Sequence, residues 1–318
     1  MPVRREMALV ACLTLAWGAG CSVKKYAINQ IGDLLSSGDS IYETEEDITL
    51  VGEALPFSLK LVESLLQESP DHRGLLLAAS RGFVLYSYAY VDYPGEVLAD
   101  DDLDSARAMR ERARKLYLRG LGYGLRALEQ SYPEFGNLLT RSPREAVSVI
   151  AEKDKARVLP LLYWTGASLG LAISVAKNDA AMLARLPEVE AILDRALELD
   201  ETWNRGALHE FRVTLAASQP GGMDAEAMER HYRRALELSR GQRASVYLAY
   251  AESHSVPTQN RSEFRSLVEE ALEVDPDAEP NNRLMNLLAQ RRAEWLMNRI
   301  DDLFLEDEPS SPPQGVRP

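Results

Sequence analysis

The chain has 318 residues, 36 lysines and arginines against 49 aspartates and glutamates, and a formal net charge of −13. Its 46% hydrophobic and 27% charged residues supply ample apolar surface to offset the entropy of ordering, which excludes disorder as the main state. The acidic balance also excludes a protein built to hold nucleic acid, whose phosphates need a basic face, and one drawn by charge to anionic lipid. The chain opens on Arg4 and Arg5, followed by Met7–Gly20, an uncharged run of 14 residues. That run is too short for a membrane span of about 20 residues and fits the apolar region of a signal peptide. Gly18-Ala-Gly-Cys21 resembles a bacterial lipobox, with Gly18 standing where an aliphatic side chain is favoured. The expected lipidation site is Cys21, and Ser22 in place of an aspartate points to the outer membrane.

Cysteine usage agrees with this reading. The only two are Cys12, inside the leader, and Cys21, so cleavage leaves no thiol for a disulfide, a metal or catalysis. The expected organisation is a signal peptide over 1–20, one helical repeat domain over 21–305, and a disordered tail over 306–318 that carries four prolines.

Beyond the leader, strand alternation is nearly absent and helical periodicity runs almost throughout. Leu59, Val62, Leu65 and Leu66 share one face, and Ser69-Pro70-Asp71 ends that helix. Further stripes are Val189, Ile192, Leu193, Ala196 and Leu197; Met228, Tyr232, Ala235 and Leu236; and Phe264, Leu267, Val268, Ala271 and Leu272. A last helix is expected over about 282–305. Within this pattern Ala196-Leu-Glu, Ala235-Leu-Glu and Ala271-Leu-Glu recur at spacings of 39 and 36 residues, and Ala127-Leu-Glu stands 69 before the first. Spacing near that of a two-helix repeat predicts an all-α, tetratricopeptide-like array of helical hairpins, an α-solenoid. The first-helix signature of such repeats is not recognisable.

Val158–Ala176 holds 19 residues without a charge, diluted by Pro160, Thr165, Gly166, Ser168, Gly170 and Ser174. This predicts a helix buried on all sides, or lining a central apolar cavity, rather than a membrane span. It contains Gly166-Ala-Ser-Leu-Gly170, a literal G-x-S-x-G, but a nucleophile elbow needs a strand before the serine. Glycines four apart are read instead as a place where another helix approaches. Gly120-Leu-Gly-Tyr-Gly124 is not a dinucleotide loop, since no strand precedes it and Leu125 stands where the last glycine is needed. His72, His209, His231 and His254 lack metal-ligand spacing, and the aspartates at 100, 101, 102 and 104 lack the closing glutamate of a calcium loop. No catalytic residue, metal site or cofactor is expected.

What remains is aromatic. Phe83, Tyr86 and Tyr90 fall on one helical face, Tyr163-Trp164 opens the uncharged helix, and Arg81 sits between apolar runs. These six are the candidate cavity lining, with Arg81 placed to receive a carboxylate; ordinary core packing is the alternative for each aromatic.

The strings EALPFSLKLVESLLQESPDHRGLLLAASRGFVLYSYAYV (53–91), LLYWTGASLGLAISVAKNDAAMLARLPEVEAILDRALELDE (161–201), GALHEF (206–211), RASVYLAYAESHSVPTQNRSEF (243–264) and NLLAQRRAEWLMNRIDDLF (286–304) resemble the T-component family of tripartite ATP-independent periplasmic (TRAP) transporters. The resemblance implies an all-helical periplasmic lipoprotein that works with the transporter's solute-binding protein, carries an apolar channel or cavity, and assembles as a homotrimer. It brings no catalytic motif and no ligand. The expected function is therefore a non-enzymatic accessory lipoprotein of an ion-gradient-driven uptake system. The rivals are a tetratricopeptide scaffold for envelope assembly and a hydrolase using Ser168.

Overall fold

The computed structural model describes residues 30, 41–219, 221–222 and 224–305; the expected leader with Cys21 and the expected tail over 306–318 lie outside them. All regular structure among the described residues is helical. The chain divides into two compact units with the boundary between Glu201 and Thr202.

In the first unit, α1 (Ile48–Glu68) begins where the Asp47 carboxylate accepts the Thr49 and Leu50 amides at 2.9 and 3.0 Å. Such a cap satisfies amides that the first turn leaves without partners. Val51, Leu55, Leu59, Val62 and Leu66 recur at three- and four-residue intervals and bury one face against α2 (Arg73–Ser87); Leu65 lies at its half-buried edge. A five-residue π-helical turn, Tyr88–Asp92, follows α2 and leads into the short α3 (Tyr93–Val97). The aspartate run contributes a cap: Asp102 accepts the Ser105 amide at 3.0 Å and starts α4 (Leu103–Glu129). After α5 (Phe135–Arg141) and α6 (Pro143–Ser148) comes α7 (Lys155–Ser174), the uncharged helix. The brief α8 (Ala180–Leu183) and then α9 (Leu186–Asp200) complete the unit.

The longest helix, α4, packs against both α2 and α7, and α7 packs against α9. From Leu161 to Ile173, α7 is buried except at Tyr163, Trp164 and Leu171, which are half-buried. Its Ser168 lies mid-helix, away from any strand-to-helix turn.

The second unit pairs α10 (Ala207–Ala216) with α11 (Ala225–Ser239), and α12 (Ala244–Tyr250) with α13 (Arg261–Glu273). A second π-helical turn, Ala251–Ser255, extends α12. The last expected helix is instead two: α14 (Arg283–Asn298) and α15 (Ile300–Leu303), broken at Arg299. The break turns Ile300 and Phe304 into the core, where Phe304 meets Phe264 edge-on at 5.1 Å between centroids.

The recurring alanines have one structural role. Ala127, Ala196, Ala235 and Ala271 lie on α4, α9, α11 and α13, and each is 0% exposed. A methyl group at that position lets a partner backbone come close. Gly206, at φ +91°, sits so near Ala235 that an added Cβ would lie 3.1 Å from the alanine Cα. Alanine and glycine face each other there because neither has a side chain to separate the segments.

An arginine–aromatic candidate site

The six expected lining residues all belong to the first unit, and the structure distributes them over two groups. On α2 and α7, the Arg81 guanidinium lies 6.0 Å from the Trp164 ring centroid, and Tyr163 meets Trp164 edge-on at 5.0 Å. The second group is Tyr86 and Tyr90, stacked at 5.9 Å, with the Arg112 guanidinium 5.9 Å from the Tyr86 ring. Arg112 also donates to the Tyr86 hydroxyl at 3.3 Å, while the Tyr90 hydroxyl donates to the Ile48 carbonyl at 2.8 Å. Phe83 is buried and pairs elsewhere, stacking on Tyr123 of α4 at 5.8 Å. The other five are half-buried, so each keeps some surface toward solvent.

Arg81 is not bare. Its guanidinium forms an ion pair with Glu43, in the non-helical stretch before α1. The same stretch is tied down by Tyr42, whose hydroxyl is 2.6 Å from Ser58 Oγ.

Sequence reasoning missed the groups that α4 brings to this region. Arg119 stands over Phe83 at 4.9 Å and pairs with Glu63 of α1. Glu63 is 7% exposed, accepts from the Tyr123 hydroxyl at 2.7 Å and from Lys60 Nζ at 2.7 Å. Burial pushes the Glu63 pKa up, but the Lys60 and Tyr123 hydrogen bonds and the Arg119 charge outweigh it, and the carboxyl sits below its ordinary range. Burial, reinforced by the Glu63 hydrogen bond, raises the Tyr123 phenol. The spacing held a signal: Arg112, Arg119, Tyr123 and Arg126 lie seven, four and three residues apart, which puts them on one face of a helix.

The second unit has its own clusters. Tyr232 and Tyr250 stack at 4.2 Å, and His254 continues the stack at 4.8 Å. Burial, helped by the nearby Glu270 charge, raises the Tyr232 phenol. His209 and His231, which looked scattered in sequence, meet across α10 and α11 with their Nδ1 atoms 2.8 Å apart. Burial, with the His209, Arg212 and Arg230 charges, lowers the His231 pKa to about 4. Among the described residues no three metal-ligating side chains converge. The Ser168 hydroxyl is buried and makes no hydrogen bond.

The TRAP transporter T-component family model matches residues 44–304, which include both units' described helices. A relative from Treponema pallidum (strain Nichols), described as an uncharacterized protein, is 30% identical over 318 residues, covering 94% of this chain and 97% of the relative. The chain belongs to the TRAP transporter T-component family.

Proposed function

We propose that the protein is a non-enzymatic accessory lipoprotein of a TRAP-type uptake system, which docks the periplasmic solute-binding protein and hands a small, partly apolar organic acid along an aromatic-lined path. Family membership carries the transport role. The half-buried Arg81–Trp164 pair supports the ligand class, because a guanidinium beside an indole offers one carboxylate contact and one apolar face. Helices paired in hairpins, each second helix with its buried alanine, support a tetratricopeptide-like array suited to protein docking. Cys21 is the lipid attachment point in this reading, holding the chain at the outer membrane on its periplasmic side.

On α1, Leu50, Phe57 and Leu61 are 53%, 73% and 41% exposed and lie seven and four residues apart, on one helical face. An apolar stripe of this kind supports self-association of the sort a homotrimer needs. The experiment is gentle extraction of the tagged full chain, with wild-type and Cys21→Ala protein compared. Co-purification of a periplasmic binding protein, and release of the Cys21→Ala chain into the soluble fraction, is the expected result. A chain that purifies without any binding protein refutes the docking role. Recovery with envelope-assembly proteins instead selects the scaffold reading.

A further inference from the structure

Arg112, Lys115, Arg119, Gly122 and Arg126 follow one another along α4 at alternating steps of three and four residues, and all five are exposed. That spacing makes them a single ridge of the helix. No acidic side chain stands in the row. The carboxylates beside it are each divided between two cations: Glu63 of α1 between Arg119 and Lys60, and Glu111 between Lys115 and Arg114. Arg112 and Arg126 have no carboxylate partner among the described residues; they donate to the Tyr86 hydroxyl and the Pro70 carbonyl. The contrast is α11, where Arg230, Arg233 and Arg234 pair with Glu226, Glu229 and Glu237 of the same helix. A ridge of one sign stands out on a chain whose net charge is −13.

The three arginines are also held in place. Their guanidiniums lie 5.9, 4.9 and 5.7 Å from the ring centroids of Tyr86, Phe83 and Tyr123, for Arg112, Arg119 and Arg126 in turn. A long side chain laid on a ring has less freedom left to lose when a partner arrives. Seven residues of helix rise about 10.5 Å, so three guanidiniums set that far apart do not converge on one small anion. Gly122 is the second, independent observation. Gly120 and Gly124 are bare because α2 and α7 lie against them, but a Cβ on Gly122 would meet nothing within 4 Å. Glycine weakens a helix interior more than any residue except proline, so the fold of the chain alone gains nothing from it here. What the missing side chain provides is access to the α4 backbone from outside, between Arg119 and Arg126.

We propose that this ridge docks an acidic helix of a partner protein, which lies along α4, comes closest at Gly122 and offers carboxylates to Arg112, Arg119 and Arg126. The row is one side chain wide and about 21 Å long from Arg112 to Arg126, the footprint of one helix packed on another. Arginine suits the role, because its planar fork can take a carboxylate with two hydrogen bonds while its face rests on a ring. An anionic membrane would meet a broad side of a chain with net charge −13, whereas a single helix within a Debye length of about 8 Å answers chiefly to the ridge. The proposal goes beyond the docking role above by giving the partner's chemistry, and it does not depend on that partner being a solute-binding protein.

The test is fluorescence anisotropy with the full chain and two labelled, alanine-rich helical peptides of about 21 residues. One carries glutamate at every seventh position; the other has the same composition in shuffled order. The ordered peptide is expected to bind more tightly than the shuffled one, and less tightly as salt rises. Joint Arg112→Gln and Arg126→Gln changes should weaken it about tenfold and flatten its salt dependence. Gly122→Leu keeps every charge and fills open space, yet should also weaken binding about tenfold by holding the peptide off the backbone. Circular dichroism checks that both variants unfold no earlier than wild type. Equal binding of the two peptides, no binding of either at about 20 mM salt, or wild-type affinity in Gly122→Leu overturns the proposal. Capture of phosphatidylglycerol vesicles in place of the peptide, lost with the two arginines, overturns it in favour of a lipid contact. None of these outcomes bears on co-purification with a solute-binding protein, so the two readings fail separately.

Discussion

Gly122 and Gly124 stand two residues apart on the same helix, yet alanine at the two positions has opposite predicted effects. Around Gly122 no atom lies within 4 Å of an added Cβ. Gly122→Ala therefore gains helix propensity without contact and stabilises by up to about 1 kcal/mol. At Gly124 the same methyl would lie 2.3 Å from Thr165 Oγ1, well inside van der Waals distance. Thr165 cannot swing clear easily, because a β-branched side chain on a helix has few χ1 choices and its methyl would take the vacated place. The helices must separate, and overpacking of this kind costs about 1–3 kcal/mol, more than the propensity gain returns. Gly124→Ala is expected to destabilise by about 1–2 kcal/mol, read as a lower urea midpoint by circular dichroism. Adding Thr165→Ala removes the clashing oxygen and leaves Ser80 Oγ at 3.1 Å as the nearest remaining neighbour, so the double variant recovers most of the loss. Thr165→Ser keeps the oxygen and does not. Equal stability of the Gly122→Ala and Gly124→Ala chains, or additivity of Gly124→Ala with Thr165→Ala, would refute the close approach of α4 to α7.

Four further outcomes are expected. Because folding lowers the His231 pKa from 6.5 to about 4, the unfolded chain takes up the proton first; the contribution is full above about pH 6.5 and falls away as pH drops toward 4, a slope that His231→Gln should flatten in urea titrations. Glu63→Gln should cost about 2 kcal/mol, below the usual figure for a broken buried pair because Lys60 and Arg119 are 69% and 46% exposed and can rehydrate. Asn286, 1% exposed, accepts the Ala244 amide at 3.1 Å and donates to the Gln242 carbonyl at 3.1 Å; Asn286→Ala should destabilise the second unit by about 1–3 kcal/mol and speed hydrogen exchange at Ala244. Glu43→Gln should tighten binding of benzoate, a probe acid, by freeing Arg81, and Arg81→Gln should abolish it, both measured by Trp164 fluorescence quenching; an unchanged affinity in both variants would remove Arg81 from the ligand path.

Helical class and the buried face of each stripe were readable because they rest on periodicity and on small residues at fixed intervals. The burial of all four recurring alanines shows why: the Ala-Leu-Glu signal marks where one helix must admit another, and composition records that requirement directly. Partner choice was not readable. The glycines at 166 and 170 were the expected point of close helix approach, and α4 does come close to α7 there, with Gly124 against Thr165 and Gly120 against Ser168. Two glycines four apart say that a backbone is bare on one side, and nothing about which helix comes to cover it. The meeting of His209 with His231 across two helices was hidden for the same reason.

The two widened turns were the other feature not foreseen, and proline accounts for them. Tyr86 and Tyr90 stack as their four-residue spacing predicts, although the π-helical turn over Tyr88–Asp92 begins between them, while Phe83, three residues before Tyr86 on the same α-helix, stacks on Tyr123 of α4. In this turn the Tyr93 amide donates to the Tyr88 carbonyl, five residues back; in the second unit Val256 donates to Ala251 in the same way. A proline follows each turn two residues on, Pro94 and Pro257. A proline ring in an α-helix presses on the carbonyl four residues earlier, which would be Tyr90 and Ser253, both inside the widened turns. Widening the helix by one residue per turn relieves that pressure without ending the chain's course, and it does so in both units beside their aromatic stacks, Tyr86–Tyr90 and Tyr232–Tyr250–His254. A proline two residues beyond such a run thus marks where the backbone widens, which the 3.6-residue period alone does not reveal.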